Sequence, residues 1–418
     1  MLIIDIFYIF FSILLLPLLA KYIFKPEYIK LLKHRFTPDI KYSKKKRIWI
    51  HAVSVGEIKS IKTLIEQLTN TYNNGIALSV TTPAGYEFAK REYKSIKVIN
   101  SPFDFSFVIK KFIGKINPEI LILNELEVWP NWISIAHKNK IPILLINGRI
   151  SDTAFSRYRK YMFLFKKFLN MIDFFLVQSE FSRKRFSQLG IPDYKIKICG
   201  NIKADEAFRA STRLPSHQEI YDFLKIKTPQ KKVITFASNH LGDEKILIPI
   251  INKIKKDFSL IIVPRHLTRI HKIEKEFKNK HIKYQLWSKF KEIDINNNVL
   301  IFDKIGYLFN ILHITYIVLM GGTFDKKIGG HNLYEPAVLG KLIIGGPFYN
   351  NFPDIGKELF EDSTYLLINN SQQLLEIITN IKKCGFYNIN KKKTIKSVLN
   401  RKGSTKCISK HIQNLIKS

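Results

Sequence analysis

Short apolar runs alternate with amphipathic stretches along most of this 418-residue chain. Residues 47–54 read as a strand, and 56–70 as a helix whose Ile58, Ile61, Leu64, Ile65 and Leu68 share one side. Further strands are expected at 76–81, 96–100, 120–124, 141–146, 174–177 and 196–199, with helical stretches between most of them. Such β-α-β alternation predicts a parallel sheet covered by helices on both faces.

A polar, turn-rich stretch, 209–232, reads as a linker, and a second alternating series follows it. Its strands are expected at 233–237, 260–263, 299–302, 316–320 and 341–344. The pattern predicts an α/β protein of two Rossmann-like domains, at 22–208 and 233–394, facing each other across a cleft. The last helical stretch, 395–416 within a tail of 395–418, is expected to pack back on the first domain.

The N-terminus departs from this alternation. Residues 2–20 are apolar apart from Asp5 and Ser12, a run close to the ~20 residues that a membrane-spanning helix needs. Lys21, Lys25, Lys30, Lys33 and Arg35 follow, so residues 1–21 are expected to be a single-pass anchor with the remainder on the cytoplasmic side. A cleaved signal peptide fits less well, because a basic leading segment and a small-residue cleavage site are both missing.

Composition adds one unusual number, a formal net charge of +34 from 68 basic and 34 acidic residues. Nucleic acid, an anionic bilayer with anionic substrates, and a compositional bias toward lysine all accommodate it. Charge alone selects none of them. Cys199, Cys384 and Cys407 are scattered and lack metal-like spacing, so they read as inert thiols rather than as a disulfide framework or zinc site.

In open parallel sheets ligands bind beyond the carboxyl ends of the strands, which makes the strand exits informative. The first exit reads His51-Ala-Val-Ser-Val-Gly-Glu57. Glu57 falls near a helix start, whose positive end is expected to keep the carboxylate ionised as a general base requires. A Glu that merely favours a first helical turn is the plainer alternative. Asn124-Glu125-Leu126-Glu127 places two carboxylates after an apolar strand, where burial is costly unless they are paired or used. A salt-bridged loop is the alternative there.

In the second half, Arg265 and His266 end a strand, and Gly321-Gly322 with Gly329-Gly330 forms a Gly-rich loop running into Asn332 and Glu335. Backbone amides of such a loop are expected to cradle phosphate, with Glu335 accepting from ribose hydroxyls. No Walker loop, zinc pattern, acidic metal motif or serine nucleophile elbow is present in the sequence.

With these residues in view, the chain resembles the Kdo transferases, which attach 3-deoxy-D-manno-oct-2-ulosonic acid (Kdo) to a lipid A precursor. The matching stretches are HAVSVGE from His51, NELEVWPN from Asn124, INGRIS from Ile146, GNIKAD from Gly200, SNHLGDE from Ser238, VPRH from Val263 and GGHNLYEPA from Gly329. The resemblance implies a GT-B fold and an inverting, metal-independent glycosyl transfer from CMP-Kdo to lipid IVA in lipopolysaccharide biosynthesis. It requires no cofactor besides that donor.

Carried over by residue, Glu57 is the implied proton acceptor, with Glu125 and Lys203 supporting the transition state. Pro264, Arg265, Ile305, Gly306, Tyr307, Asn332, Leu333, Tyr334 and Glu335 are the implied CMP contacts. The implied partners are CMP-Kdo, a lipid A precursor and the anionic surface of a bacterial inner membrane, with no nucleic acid. Another nucleotide-sugar transferase or an epimerase of the same fold is the alternative. Departures from the family pattern are Leu333-Tyr334 in place of Pro-Leu, Tyr307 where an acid is common, Phe348 in place of His, and a threonine loop reduced to Thr81 and Thr82.

Overall fold

The computed structural model describes residues 4–10, 12–14, 26–42, 44–73, 75–384 and 387–417. Two compact units divide the chain: residues 1–206 with 403–418, and residues 207–402.

Among the described residues the first unit holds seven parallel strands: β1 (Arg47–Ala52), β2 (Ile76–Val80), β3 (Lys97–Asn100), β4 (Pro118–Asn124), β5 (Ile143–Gly148), β6 (Phe174–Val177) and β7 (Ile196–Ile198). Their order is β3-β2-β1-β4-β5-β6-β7. Helices cover both faces, so the inner strands are apolar almost throughout. Every residue of β2 and β5 is buried. Ile48, Ile50, Ile120 and Ile122 feed one core layer, while Trp49, Leu121 and Leu123 feed the other with Trp132 and Phe112.

The second unit repeats the plan with β8 (Lys232–Asn239), β9 (Phe258–Pro264), β10 (Tyr284–Leu286), β11 (Val299–Ile301), β12 (Ile317–Met320), β13 (Leu342–Gly345) and β14 (Tyr365–Leu367). The order is β10-β11-β9-β8-β12-β13-β14. Strand order reverses between β1 and β4 in one sheet and between β8 and β12 in the other. Ligand crevices of open α/β sheets form at such points.

Several expectations need correction. The stretch 209–232 is not a free linker, because it carries the capping-box helix His217–Leu224. Ile220, Tyr221 and Leu224 of that helix are buried with Val233, Ile261 and Phe302 in the second unit's core. The expected helix over 56–70 breaks at Ile61 into Val55–Ser60 and Lys62–Thr71. The C-terminal stretch is likewise two helices, Tyr387–Leu399 in the second unit and Ser404–Lys417 in the first. Asp205 accepts from the amides of Gly403 (2.8 Å) and Thr405 (2.6 Å) at the start of the last helix. Ile408 and Ile412 of that helix are wholly buried beside Ile48 and Leu64.

Cys199 and Cys407 are not separate thiols but a disulfide, with Cα atoms 5.5 Å apart. A sequence separation of 208 residues hides the proximity of the β7 exit to the last helix. His411 stands one helical turn beyond Cys407, its Nδ1 2.9 Å from the Cys407 carbonyl.

Part of the expected anchor, residues 1–3, 11 and 15–21, lies outside the described residues. Among the described residues no helix is long and apolar enough to cross a membrane. Residues 4–10 and 12–14 are helical, and Asp5 is buried, accepting from the Ser106 amide (2.8 Å) and from Asn131 Nδ2 (3.0 Å). Ile6, Phe7, Ile9, Phe10, Ile13 and Leu14 are exposed.

Candidate active site

In the first unit, β1 runs out through Val53 into the helix Val55–Ser60, with Ser54 as its N-cap. Glu57 is the third residue of that helix. Its Oε2 accepts from the Val53 amide (2.9 Å) and from Asn124 Nδ2 (3.4 Å), and its Oε1 lies 3.4 Å from Ser54 Oγ. The side chain therefore curls toward the end of β4, at the reversal between β1 and β4.

At that end Glu125 adopts a left-handed backbone (φ 62°), uncommon for a side chain of this size. Its amide bonds to the Ile146 carbonyl (2.9 Å), which fixes the turn against β5. Lys203, from the helix that follows β7, places Nζ 3.5 Å from Glu125 Oε1. Glu127 accepts from Trp129 Nε1 (2.8 Å).

Sequence reasoning expected the helix start to keep Glu57 ionised. The structure corrects this: the carboxyl is pushed up to about 7, first by burial and then by the negative charge of Glu125. The Val53 amide and Lys203 act in the opposite direction and only partly offset these effects. Desolvation of this half-buried carboxyl outweighs the helix end. Burial raises Glu127 as well.

A cavity of about 390 Å³ opens beside this cluster, lined by Glu125, Glu127, Arg149, Arg157, Tyr158 and Phe165 among others. Arg149 and Arg157 escaped sequence reasoning, although Arg149 stands in the INGRIS stretch directly after β5, where a cation could have been noticed. His51, which opens the first motif, is a core residue. It is fully buried against Trp132, and burial pushes its imidazole down to about 3.

In the second unit the expected nucleotide residues divide into exposed and buried groups. Arg265 is exposed just past the end of β9, and Ile305 and Gly306 are exposed in the loop after β11. Tyr307 packs on Phe223, Phe302 and Trp287. Asn332 Nδ2 donates to Glu335 Oε1 (3.0 Å), and Asn332 Oδ1 accepts from the Tyr334 amide (3.1 Å). Leu333 and Tyr334 send their side chains into the core, as Pro264 does at the end of its buried strand.

The Gly-rich loop differs from expectation. The amides of Gly321, Gly322, Gly329 and Gly330 bond to Ala237 O, Asp243 Oδ2, Asp325 O and Gly322 O, at 2.8 to 3.1 Å. These four donors hold the loop together and do not cradle a phosphate. Gly321 is needed for close approach, since a Cβ there would meet Asn239 Cα at 2.5 Å.

Comparison with known proteins bears on the fold and on the family. Superposition on the UDP-GlcNAc 2-epimerase of Neisseria meningitidis gives a TM-score of 0.61 at 16% identity, over 89% of this chain and 99% of that one. That likeness shows the fold alone, a GT-B-like pair of parallel α/β sheets. The model of a family described as 3-deoxy-D-manno-octulosonic-acid transferase (kdotransferase) matches residues 30–206.

The bifunctional glycosyltransferase/methyltransferase of Fusobacterium nucleatum subsp. nucleatum is 34% identical over 342 residues, 80% of this chain. This chain spans about half, 52%, of that relative's length. The 3-deoxy-D-manno-octulosonic acid transferase of Chlamydia pneumoniae is 31% identical over 337 residues, covering 79% of this chain and 76% of the relative. The family match and these relatives define a glycosyltransferase. The chain belongs to the 3-deoxy-D-manno-octulosonic acid transferase family.

Proposed function

We propose that the chain transfers Kdo, with inversion, from CMP-Kdo to a hydroxyl of a lipid A precursor at the cytoplasmic face of a bacterial inner membrane. The observation that carries this reading is Glu57. Its carboxyl is poised near neutral pH, hydrogen-bonded by neutral donors, and set beside the Glu125–Lys203 pair. A base with that proton affinity takes a hydroxyl proton and returns it to solvent in each cycle.

As the acceptor oxygen attacks the anomeric carbon, its proton passes to Glu57. The bond from that carbon to the phosphate oxygen breaks, and CMP departs with the electron pair. Glu125 complements the positive charge that develops on the sugar, with Lys203 as its ion-pair partner. In the second unit Asn332 and Glu335 take the ribose, and Arg265 meets the phosphate. The reaction proposed uses no metal and no further cofactor.

Residues 1–21 form the membrane anchor in this reading. The apolar run, the exposed Ile6, Phe7, Phe10 and Ile13, and the lysines that follow support it. The basic surface adds attraction to anionic lipid.

The test is to incubate the purified protein with lipid IVA and either CMP-Kdo or a set of UDP-sugars, and to weigh the product by mass spectrometry. Addition of Kdo, lost in Glu57→Gln, is the expected result. Turnover with a UDP-sugar alone would overturn the donor assignment.

A further inference from the structure

Three histidines from three separate segments meet in the second unit. His240 follows β8, His266 follows Arg265 at the end of β9, and His331 stands between Gly330 and Asn332. His240 Nε2 lies 2.7 Å from His331 Nε2, the two rings stacked with centroids 4.9 Å apart. The His266 ring meets His240 edge-on at 5.5 Å. His240 exits β8 and the Gly321-Gly322 turn exits β12, so the cluster occupies the reversal between those strands.

The arrangement is braced. Asp243 Oδ2 accepts from the amides of His240 (2.7 Å) and Gly322 (2.8 Å), tying the two strand exits together. Glu244 accepts from Asn239 Nδ2 (3.0 Å), the Gly242 amide (2.9 Å) and Arg269 Nη2 (2.6 Å). Gly322 has φ 70°, and a Cβ on it would come within 3.0 Å of His331 Nε2. The loop is therefore shaped around that imidazole.

Two Nε2 atoms at 2.7 Å require one imidazole to donate and the other to accept. The pair holds one proton between its facing nitrogens and has room for one more charge. Arg265, Arg269 and His266 face His240 and oppose that charge, and Asp325 favours it. Arg265 and His266 face His331 in the same sense. Burial opposes it most of all, so the pair is neutral, with His240 pushed down to about 4 and His331 to about 3. A dianion placed among these groups reverses the balance, since it would stand beside Arg265, His266 and the imidazole pair together.

We infer that His240, His331 and His266, with Arg265, form the phosphate site of the second unit, and that the imidazole pair takes up one proton when a phosphate dianion arrives. The proton comes from solvent, and no bond in the ligand changes. The site supplies what the four glycine amides do not, because those are already committed. It also gives a place to the SNHLGDE stretch, which the proposed CMP contacts leave unused. Product CMP, a dianion, is held with an N⁺–H···O⁻ contact that the singly charged phosphodiester of the donor draws on less. The inference rests on reading the second unit as the CMP site.

The test is calorimetric titration of the full chain at pH 7 with CMP and with cytidine, each in two buffers of different ionisation enthalpy. Wild type is expected to bind CMP at least about tenfold more tightly than cytidine and to take up a proton with CMP only. His331→Asn is expected to lose about tenfold in CMP affinity along with the proton uptake, while cytidine binding stays unchanged and reports an intact fold. His240→Gln keeps a hydrogen-bonding group facing His331 but cannot be protonated, and it should lose the uptake too. Unchanged CMP affinity and proton uptake in both variants would overturn the histidine site while leaving the nucleotide reading in place. Failure of wild type to bind CMP at all would remove the nucleotide reading and the inference with it.

Discussion

Lys203 Nζ stands 3.5 Å from Glu125 Oε1, and this pair bears on the proton affinity of a third residue, Glu57. Glu125 raises the Glu57 carboxyl and Lys203 lowers it. Lys203→Met removes the lowering influence, so the acid limb of the pH dependence of kcat/KM should move to higher pH. A loss of about 10²–10³-fold in kcat at pH 7.5 should accompany it. A variant that lost activity with its pH profile unmoved would show that Lys203 acts elsewhere.

Glu57→Gln should lower kcat by about 10²–10⁴-fold, because the base is gone while the Val53 and Asn124 donors still find an oxygen. The same variant has a stability signature. The folded carboxyl titrates near 7, above its ordinary value of 4.5. The native state therefore holds the proton more tightly than the unfolded chain, and stability is lost as pH rises through that window. Glutamine escapes this loss. Relative to wild type, Glu57→Gln should gain up to about 3 kcal/mol on going from pH 4 to pH 8, read as a Tm difference that widens with pH.

The Arg269–Glu244 pair is nearly enclosed, with side chains 13% and 8% exposed and 2.6 Å apart. Arg269→Met leaves the Glu244 carboxylate buried without its cation. Denaturant unfolding should show a cost of about 3–5 kcal/mol. Replacing both residues by apolar groups should restore part of it, whereas an equal cost in the double variant would mean that packing matters more than charge.

Cys199→Ser opens the covalent link between β7 and the last helix. Urea unfolding under non-reducing conditions should show a loss of about 2–4 kcal/mol, and reductant should produce a similar loss in wild type but none in the variant. Equal stability of wild type with and without reductant would speak against the link.

The sheets were the most legible part of the chain, because strands buried on both faces read as continuous apolar runs. The inner strands of the first unit could be placed this way, and the edge strands β3 and β7, partly exposed, by the alternation with helices around them. The second unit gained β10 and β14, edge strands of three residues whose Tyr-Gln-Leu and Tyr-Leu-Leu are too short to show a period. His217–Leu224 was hidden inside a polar stretch because only three of its residues reach the core. At the site, residue types could be read but their charge states could not. Glu57 sits near a helix start as expected, yet its proton affinity depends on burial and on Glu125, 68 positions away. The Cys199–Cys407 bond and the His240–His331 contact join segments far apart in sequence, and no local pattern announces them.

Asp205, by capping the last helix, gives the chain an order of assembly. The first sheet leaves the ribosome before the second, yet the seats it keeps for Ile408 and Ile412 are filled only after the whole second unit has been made. A nascent chain stalled anywhere in the second unit would carry an amino-terminal half with its hydrophobic seam open. Completion of that half is thereby tied to synthesis of the second unit.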